Sequence, residues 1–260
     1  MSNHKLKNRI KKIKRGFLIW RILILLLVNL WLDNLIFKIF RTNRDKKNKV
    51  QIKRAKWFTN QLIELGSAFI KIGQLLSARP DLIPNTWIQE LSKLQDQVPQ
   101  FSYTKVEEII QKELGHKFSE INQITSTPIG SASLAQVHKA TLKDGKEVVF
   151  KVQRPNLKNL FTIDLNIMQQ IAFIIQKNKN WSRGRNWVAI AKECRKVLMK
   201  ELDFKCEAQY AARFRQQFLD DENVEVPEVI WNLSTEKVLC LSYLEGTKIS
   251  DVEKLKSKNI

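Results

Sequence analysis

Apolar residues recur at helical spacing between residues 62 and 76. They share one face of a 3.6-residue helix: Leu62, Leu65, Phe69, Ile72 and Leu76. The opposite face is also small and apolar, apart from Lys71 and, three residues further on, Gln74. A helix that is apolar on both sides is buried, and a buried lysine needs an anionic partner. The pattern therefore predicts a packed helix whose Lys71 faces another polar group.

Helical patterns recur along most of the chain. They predict helices at about residues 54–78, 85–95, 104–114, 159–178 and 187–218. Pro80 and Pro84 end the first of these helices. Thr104 and Glu107 have capping-box spacing at the start of the third helix, and Gly115 ends it.

The pattern changes to alternation near residue 127. Residues 136–142 and 147–153 read as strands, and the Asp-Gly pair at 144–145 is a hairpin turn signal between them. Alternation places Lys151 on the face opposite Phe150 and Val152. Two more strands are predicted within residues 224–246, joined near 232–236. The sequence thus predicts an α+β protein, with a helical region followed by a small antiparallel sheet that includes a helix.

Residues 16–40 are apolar and follow a basic segment. Their longest run without a charge, 22–32, has 11 residues, whereas a membrane-spanning helix needs about 20. Three alternatives remain open: a helix lying in the membrane surface, a helix packed on the protein itself, and a membrane span. The first is favoured, and in all three the cationic flanks are expected on the cytoplasmic side. No small-residue cleavage site of a secretion signal follows.

The net charge of +19 is concentrated at the N-terminus. Residues 1–56 contain 17 Lys or Arg and 2 acids, and the other 204 residues contain 28 and 24. This distribution favours a basic arm on an anionic membrane surface over nucleic-acid binding, which needs a basic patch on a folded domain. Three cysteines without CxxC spacing indicate free thiols in a reducing compartment, and three scattered histidines give no reason to expect a metal site.

Three features in order carry candidate chemistry. A loop of small residues, Gly130, Ser131, Ala132 and Ser133, allows backbone N–H groups to approach a phosphate. Lys151 follows in an apolar strand, and Glu207 lies in a later helix. A lysine that binds phosphates and a helix glutamate that holds it are parts of a kinase N-lobe. Each part alone is weak, because edge-strand lysines and solvated helix glutamates are common; their order strengthens the case.

The motifs resemble those of the AarF/UbiB family of atypical, protein-kinase-like ATPases, over about residues 50–258. KIGQ at 71–74 is similar to the family's KxGQ signature, and IGSASLAQVHKA at 129–140 to its alanine-rich loop, although Gly130 and Ser131 stand where alanines are more frequent. VVFKVQRP at 148–155 resembles the lysine strand, and KELDFKCEA at 200–208 the ExD motif. VLCLSYLEGTKISD at 238–251 resembles the hinge that contacts adenine.

The resemblance implies a kinase-like N-lobe with a helical KxGQ extension that folds over a nucleotide site. Lys71 and Gln74 would then face the nucleotide and the ExD acids Glu201 and Asp203. These two acids are two residues apart, so they reach one site only if the helix is distorted there.

The family pattern also assigns the lysine and hinge roles. Lys151 would pair with Glu207, Leu241 would be the gatekeeper, and Ser242, Tyr243 and Leu244 would line the hinge. ATP is the expected cofactor, with Mg²⁺ only in the presence of a complete C-lobe.

The sequence contains no kinase catalytic loop and no DFG-type aspartate. We therefore expect an N-terminal part without a C-lobe, inactive alone, with a C-lobe encoded separately. The expected organisation is a basic arm and interfacial helix (1–49), a KxGQ extension (50–126) and an N-lobe up to the hinge (127–260). The resemblance implies a role in membrane quinone or isoprenoid-lipid metabolism. We expect the chain to lie in the cytoplasm, peripherally associated with the membrane. The alternative is a non-catalytic membrane-surface module.

Overall fold

The computed structural model describes residues 2–40, 43–95, 100–182, 184–247, 249 and 252–257. The helices are α1 Ser2–Ile39, α2 Arg44–Leu65, α3 Ser67–Ser77, α4 Asn85–Ser92, α5 Tyr103–Leu114, α6 Leu157–Lys177, α7 Lys179–Ser182, α8 Trp187–Lys200, α9 Phe204–Gln217 and α10 Val252–Ser257. The strands are β1 Ile121–Ile124, β2 Gly130–Ser131, β3 Ala135–Leu142, β4 Glu147–Gln153 and β5 Val238–Ser242. The α+β class is confirmed.

The chain forms two compact units. The first contains residues 1–101, 131–135 and 153–202, and the second contains residues 102–130, 136–152 and 203–260. The first unit is helical, and its core is built by α1, α2, α3, α4, α6 and α8. Fully buried members of that core include Leu62, Ile70, Leu94, Phe161 and Leu198. The stripe predicted along residues 62–76 belongs to this core, with Leu76 at its partly buried edge.

Two predicted long helices are each divided in the structure. The helix expected at 54–78 is α2 and α3, separated by Gly66, whose φ of +84° is accessible to glycine and strained for other residues. The helix expected at 187–218 is α8 and α9, because the chain turns between residues 201 and 203. Asp203 is the N-cap of α9, and its carboxylate accepts a hydrogen bond of 3.0 Å from the Lys205 N–H.

The predicted capping box at Thr104 is wrong. The helix begins one residue earlier, at Tyr103, and Ser102 is the N-cap residue, without a side-chain cap hydrogen bond. The end of the same helix is as predicted, because Gly115 adopts a φ of +57° after Leu114. Thr104 is the second residue of α5, so its backbone is already helical, whereas that of an N-cap residue is not.

The second unit contains an antiparallel sheet in the order β1-β3-β4-β5, with β2 beside β3. The predicted β3–β4 hairpin is confirmed, and its turn contains Gly145 at a φ of +87°. Only one of the two strands predicted within 224–246 is regular. The other is a single bridge from Val229 to Leu241, followed by a short 3₁₀ turn at Trp231–Leu233. Pro227 interrupts that segment because it offers no N–H for a ladder.

Helix α1 presents two different faces. Ile19 and Ile22 are buried in the core of the first unit, and Leu26 on the same helix is also buried. Asp33, which interrupts the apolar run, accepts two hydrogen bonds of 2.7 and 3.0 Å from Arg54 of α2. By length and composition, the segment from Lys12 to Ile39 could also cross a membrane, although core helices and secretion signals share this property. Packing on the protein itself is therefore observed for one face of α1.

Candidate functional site

Lys151 and Glu207 form a two-point ion pair in the second unit. Alternation along β4 buries Phe150 and Val152 completely and leaves Lys151 on the opposite face, as predicted. The Lys151 ammonium donates to both carboxylate oxygens of Glu207 in α9, at 2.6 and 2.7 Å. About a quarter of the lysine side chain is exposed, so the ammonium is held in place without being sealed off.

An aromatic ring supports this pair from the base of α9. The Lys151 Nζ lies 5.1 Å from the centroid of Phe204, at a distance typical of cation–π contacts. Phe204 is itself buried, and its backbone N–H donates to Glu236 at 3.0 Å. Phe204 was not predicted from the sequence, although its place directly after the ExD acids was a usable signal. Phe204 thus adds a third constraint on the lysine head group.

The geometry leaves the lysine with free bonding capacity. An ammonium group has three N–H donors, and two of them donate to the two carboxylate oxygens of Glu207. The remaining donor is available to an anionic oxygen near the exposed part of the side chain. The arrangement can therefore bind a phosphate oxygen while the carboxylate keeps the lysine oriented.

The predicted hinge follows the end of β5. The Ser242 N–H donates to Glu228 and the Tyr243 N–H donates to Glu147, at 2.9 and 3.0 Å. The ring of Tyr243 lies 4.1 Å below the Lys139 ammonium. Leu244 has no hydrogen bond within the part of the chain that the structure describes. Of the three predicted hinge residues, Leu244 alone has a backbone N–H without an acceptor in the described part of the chain.

The predicted phosphate loop is a tight turn. In the first unit, the Ala132 N–H donates to Ala135 at 2.8 Å, and Ser133 is buried. Arg154 donates to the Ala132 carbonyl and to the Ser131 hydroxyl, at 3.1 and 3.2 Å. Burial lowers the pKa of Arg154. Sequence reasoning missed Arg154, which directly follows the lysine strand and fixes the loop.

Gly130, the first residue of the loop, belongs to the second unit and lies in β2. A Cβ there would meet Val137 at an ordinary 3.9 Å, so the packing does not demand glycine.

The KxGQ residues have separate roles within the first unit. Lys71 pairs with Glu201 at 2.9 Å, which provides the polar partner that its packed face requires. Gln74 donates to the carbonyl of Leu94 at 2.9 Å. A Cβ on Gly73 would lie 2.9 Å from Leu62 Cδ1 and closer still to Leu94 Cδ1. The motif therefore joins α3 to α2, to the 3₁₀ turn after α4, and to the end of α8.

The two ExD acids have different partners, because one helix ends and the next begins between them. Glu201 follows α8 and pairs with Lys71, whereas Asp203 caps α9 in the second unit. The distortion that the two-residue spacing required is thus present. The assignment of both acids, of the loop and of the hinge to a nucleotide remains a prediction.

The cysteines are free, as predicted. Burial raises the pKa of Cys240 to about 12, and burial also raises that of Cys194. Both thiols therefore remain protonated near neutral pH, which makes them poor nucleophiles.

Comparison with known proteins identifies the family. Residues 93–260 match the model of the ABC1 atypical kinase-like domain. The chain is 42% identical over 249 residues to an uncharacterized protein of Synechocystis sp., covering 95% of this chain and 43% of the relative. It is 34% identical over 255 residues to a probable protein kinase UbiB of Cellvibrio japonicus, covering 96% and 45%.

Plant and structural relatives agree with this match. The chain is 40% identical over 248 residues to Protein ACTIVITY OF BC1 COMPLEX KINASE 7, chloroplastic, of Arabidopsis thaliana, covering 95% of this chain and 36% of the relative. The structure of the Rv3197–erythromycin complex from Mycobacterium tuberculosis matches at 28% identity with a TM-score of 0.54, covering 82% and 54%. The chain spans less than half the length of these three curated relatives. It belongs to the ABC1 atypical kinase-like family, which includes the AarF/UbiB proteins.

Proposed function

We propose that this chain contributes the nucleotide-binding part of an atypical kinase or ATPase. The observation that carries the proposal is the ion pair between Lys151 and Glu207, with one ammonium donor left for a phosphate. The Leu244 N–H would meet the adenine edge, as a kinase hinge does. ATP would supply the transferable phosphoryl group, and these residues would only bind and orient it.

The proposed process is membrane quinone or isoprenoid-lipid metabolism. It is supported by the similarity to proteins named UbiB. The sequence has no motif of a kinase catalytic loop, so nucleotide binding, rather than turnover, is the appropriate measurement for this chain. Mg²⁺ is expected only where a complete kinase C-lobe is present to hold it.

The test measures binding of a fluorescent ATP analogue to the full 260-residue chain. Lys151→Ala should weaken binding about tenfold or more, because a hydrogen bond to a charged group contributes about 1.5–3 kcal/mol. Lys146→Ala is the matched control, since it removes a lysine–glutamate pair from the same unit, the 2.7 Å contact with Glu228. Equal affinity in the wild type and Lys151→Ala, with both chains folded, would refute the nucleotide role.

A second candidate is a membrane-surface module without catalysis. It is favoured by the exposed apolar residues of α1, among them Phe17, Ile24, Leu27 and Trp31. Cationic residues precede them, as in helices that lie on anionic bilayers. The two candidates separate in one flotation assay with vesicles containing phosphatidylglycerol. Vesicle binding by a Lys151→Ala chain, together with absent ATP binding by the wild type, would favour the module.

A further inference from the structure

A groove runs between α1 and α6 within the first unit. Its volume is about 950 Å³, within the range of small-molecule sites. Apolar side chains and a glycine form most of its surface: Ile13, Gly16 and Trp20 from α1, and Leu160, Ile163 and Ile167 from α6. A second hollow beside Trp20 extends it towards Phe173 and Ile174. We call this whole depression the α1–α6 groove.

The apolar wall of the groove continues along α1 beyond the groove itself. Ile13, Gly16 and Trp20 have the spacing of one helix face, and Ile24, Leu27 and Trp31 continue that spacing. The last three are exposed large apolar residues. An apolar chain that leaves the groove near Trp20 therefore meets an apolar surface along α1, where unassociated proteins usually present polar groups.

The other end of the groove is polar and cationic. Lys12 lines it, and no carboxylate pairs with Lys12 in the described part of the chain. Asn156 and Asn159 line the same end, at the start of α6. The first N–H groups of a helix lack acceptors within the helix, which favours an anion there. Arg15 also lines the groove, but its guanidinium is bound to Asp164.

We propose that the α1–α6 groove binds one anionic phospholipid of the bilayer. The phosphate would lie against Lys12 and the start of α6, and one acyl chain would follow Ile13, Gly16 and Trp20. The cationic end of the groove favours a ligand with an anionic head group over a wholly apolar molecule. The continuous apolar path at the other end favours a ligand with an acyl chain over a free anion. The inference rests on the proposed placement of α1 at a membrane.

The probe is lysophosphatidic acid with a fluorophore on its acyl chain, used below its micelle concentration with the full chain. We expect saturable binding that unlabelled lysophosphatidic acid displaces. Lysophosphatidylcholine of the same chain length should displace it about tenfold less effectively, because its head group is zwitterionic. Inorganic phosphate alone should not displace it, because it lacks the apolar chain.

Two variants with the same change in charge give the decisive comparison. Lys12→Glu should weaken probe binding about tenfold. Lys14→Glu lies on the same helix and is exposed, but it does not line the groove, so its affinity should remain within twofold of the wild type. Equal losses in both variants would indicate diffuse attraction to the basic helix and would overturn the site. Asn159→Trp, which places a bulky side chain at the groove rim, should also reduce binding.

Vesicle flotation separates this inference from the proposed membrane placement. If the chain floats with phosphatidylglycerol vesicles but does not bind the probe, the groove site is wrong and the placement stands. If probe binding is weakened by Lys12→Glu but the chain does not float with vesicles, the proposal that the ligand is a phospholipid of the bilayer is wrong. Unchanged thermal unfolding of each variant shows that a loss of binding is not a loss of folding.

Discussion

Gly73 lacks a side chain at a contact between three helical segments. A methyl group there would press on Leu62 and Leu94, which are both buried. Replacing a helical glycine with alanine usually gains up to about 1 kcal/mol, but overpacking a core costs about 1–3 kcal/mol. The packing cost therefore exceeds the helix gain, which explains why the motif contains glycine at this position.

Gly73→Ala should lower the free energy of unfolding of the first unit by about 1–2 kcal/mol, as the balance of those two effects. Tryptophan fluorescence in urea is a suitable measurement, because six of the seven tryptophans belong to the first unit. Gly246→Ala is the control, since a Cβ there meets no atom within 4 Å. A Gly73→Ala chain as stable as the wild type would show that Leu62 and Leu94 move away from the new methyl group without an energetic cost.

His138 is a buried titratable residue in β3. Its Nδ1 lies 2.8 Å from the Thr125 carbonyl, and its Nε2 has no hydrogen-bond partner in the described part of the chain. Burial lowers the pKa of His138 below its usual 6.5, against the smaller opposing effect of the Thr125 hydrogen bond. Near pH 7 the imidazole is therefore neutral in the folded chain, and Nδ1 carries the proton that it donates to the Thr125 carbonyl.

The second unit should lose stability as the pH falls below 6.5. The unfolded chain then binds a proton that the folded chain excludes, so the free energy of unfolding decreases towards acid. Hydrogen exchange of residues 136–142 at pH 7.5 and 5.5 measures this change. His138→Asn should reduce the dependence, whereas His116→Asn, an exposed histidine of the same unit, should retain it. An unchanged slope in His138→Asn would assign the effect to other groups.

At the scale of elements, Arg15 fastens α1 to two other helices. It donates to both oxygens of Asp164 in α6 at 2.8 Å, and also to the Leu65 carbonyl of α2. Asp164 is fully buried, and burial raises its pKa in spite of the arginine. Without Arg15, the buried Asp164 carboxylate would have no cationic partner among the described residues, which is costly.

Arg15→Met should destabilise the first unit by about 3–5 kcal/mol, the usual cost of breaking a buried pair. The double variant Arg15→Met with Asp164→Leu should recover most of that loss, because no buried charge remains. Arg21→Met, on an exposed position of the same helix, is the control. Tryptophan fluorescence in urea measures all four chains. A double variant no more stable than Arg15→Met would contradict the buried-charge explanation.

The sequence predicted elements with a strong local signal and missed those set by single backbone positions. The β3–β4 hairpin was predictable because alternating residues flank an Asp-Gly turn. The breaks at Gly66 and before Phe204 were missed, because the apolar spacing continues across both of them. β1, at the edge of the sheet, is four residues long and has no clear alternation of burial. Periodicity reports which face is buried, but it does not report where the backbone turns.

The candidate site was predictable to a similar extent. The pairing of Lys151 with Glu207 followed from the order of loop, strand and helix together with the family resemblance. Arg154 and Phe204 were missed, since a cation and an aromatic beside a motif have no distinctive spacing. Contacts between distant segments depend on side-chain geometry, which a single sequence does not specify.

At the scale of the whole molecule, basic residues and exposed apolar side chains occur together in the N-terminal part of the chain. The first 56 residues contain 17 basic and 2 acidic residues, and α1 exposes large apolar side chains in the same region. These two properties act differently on a membrane. Attraction to anionic lipid is screened by salt within about 10 Å at 0.1 M, whereas burial of apolar side chains in the bilayer is not screened.

Vesicle binding should therefore have a salt-sensitive and a salt-resistant part. Raising NaCl from about 50 to 500 mM should weaken flotation with phosphatidylglycerol vesicles but not abolish it. Ile24→Asn should reduce the salt-resistant part of vesicle binding by roughly tenfold or more, because an isoleucine buried in the bilayer contributes about 1.5–3 kcal/mol. Phe214→Asn, which removes an exposed apolar residue of α9, should have no such effect. Equal losses in the two variants would mean that general surface hydrophobicity drives binding and that α1 has no special role.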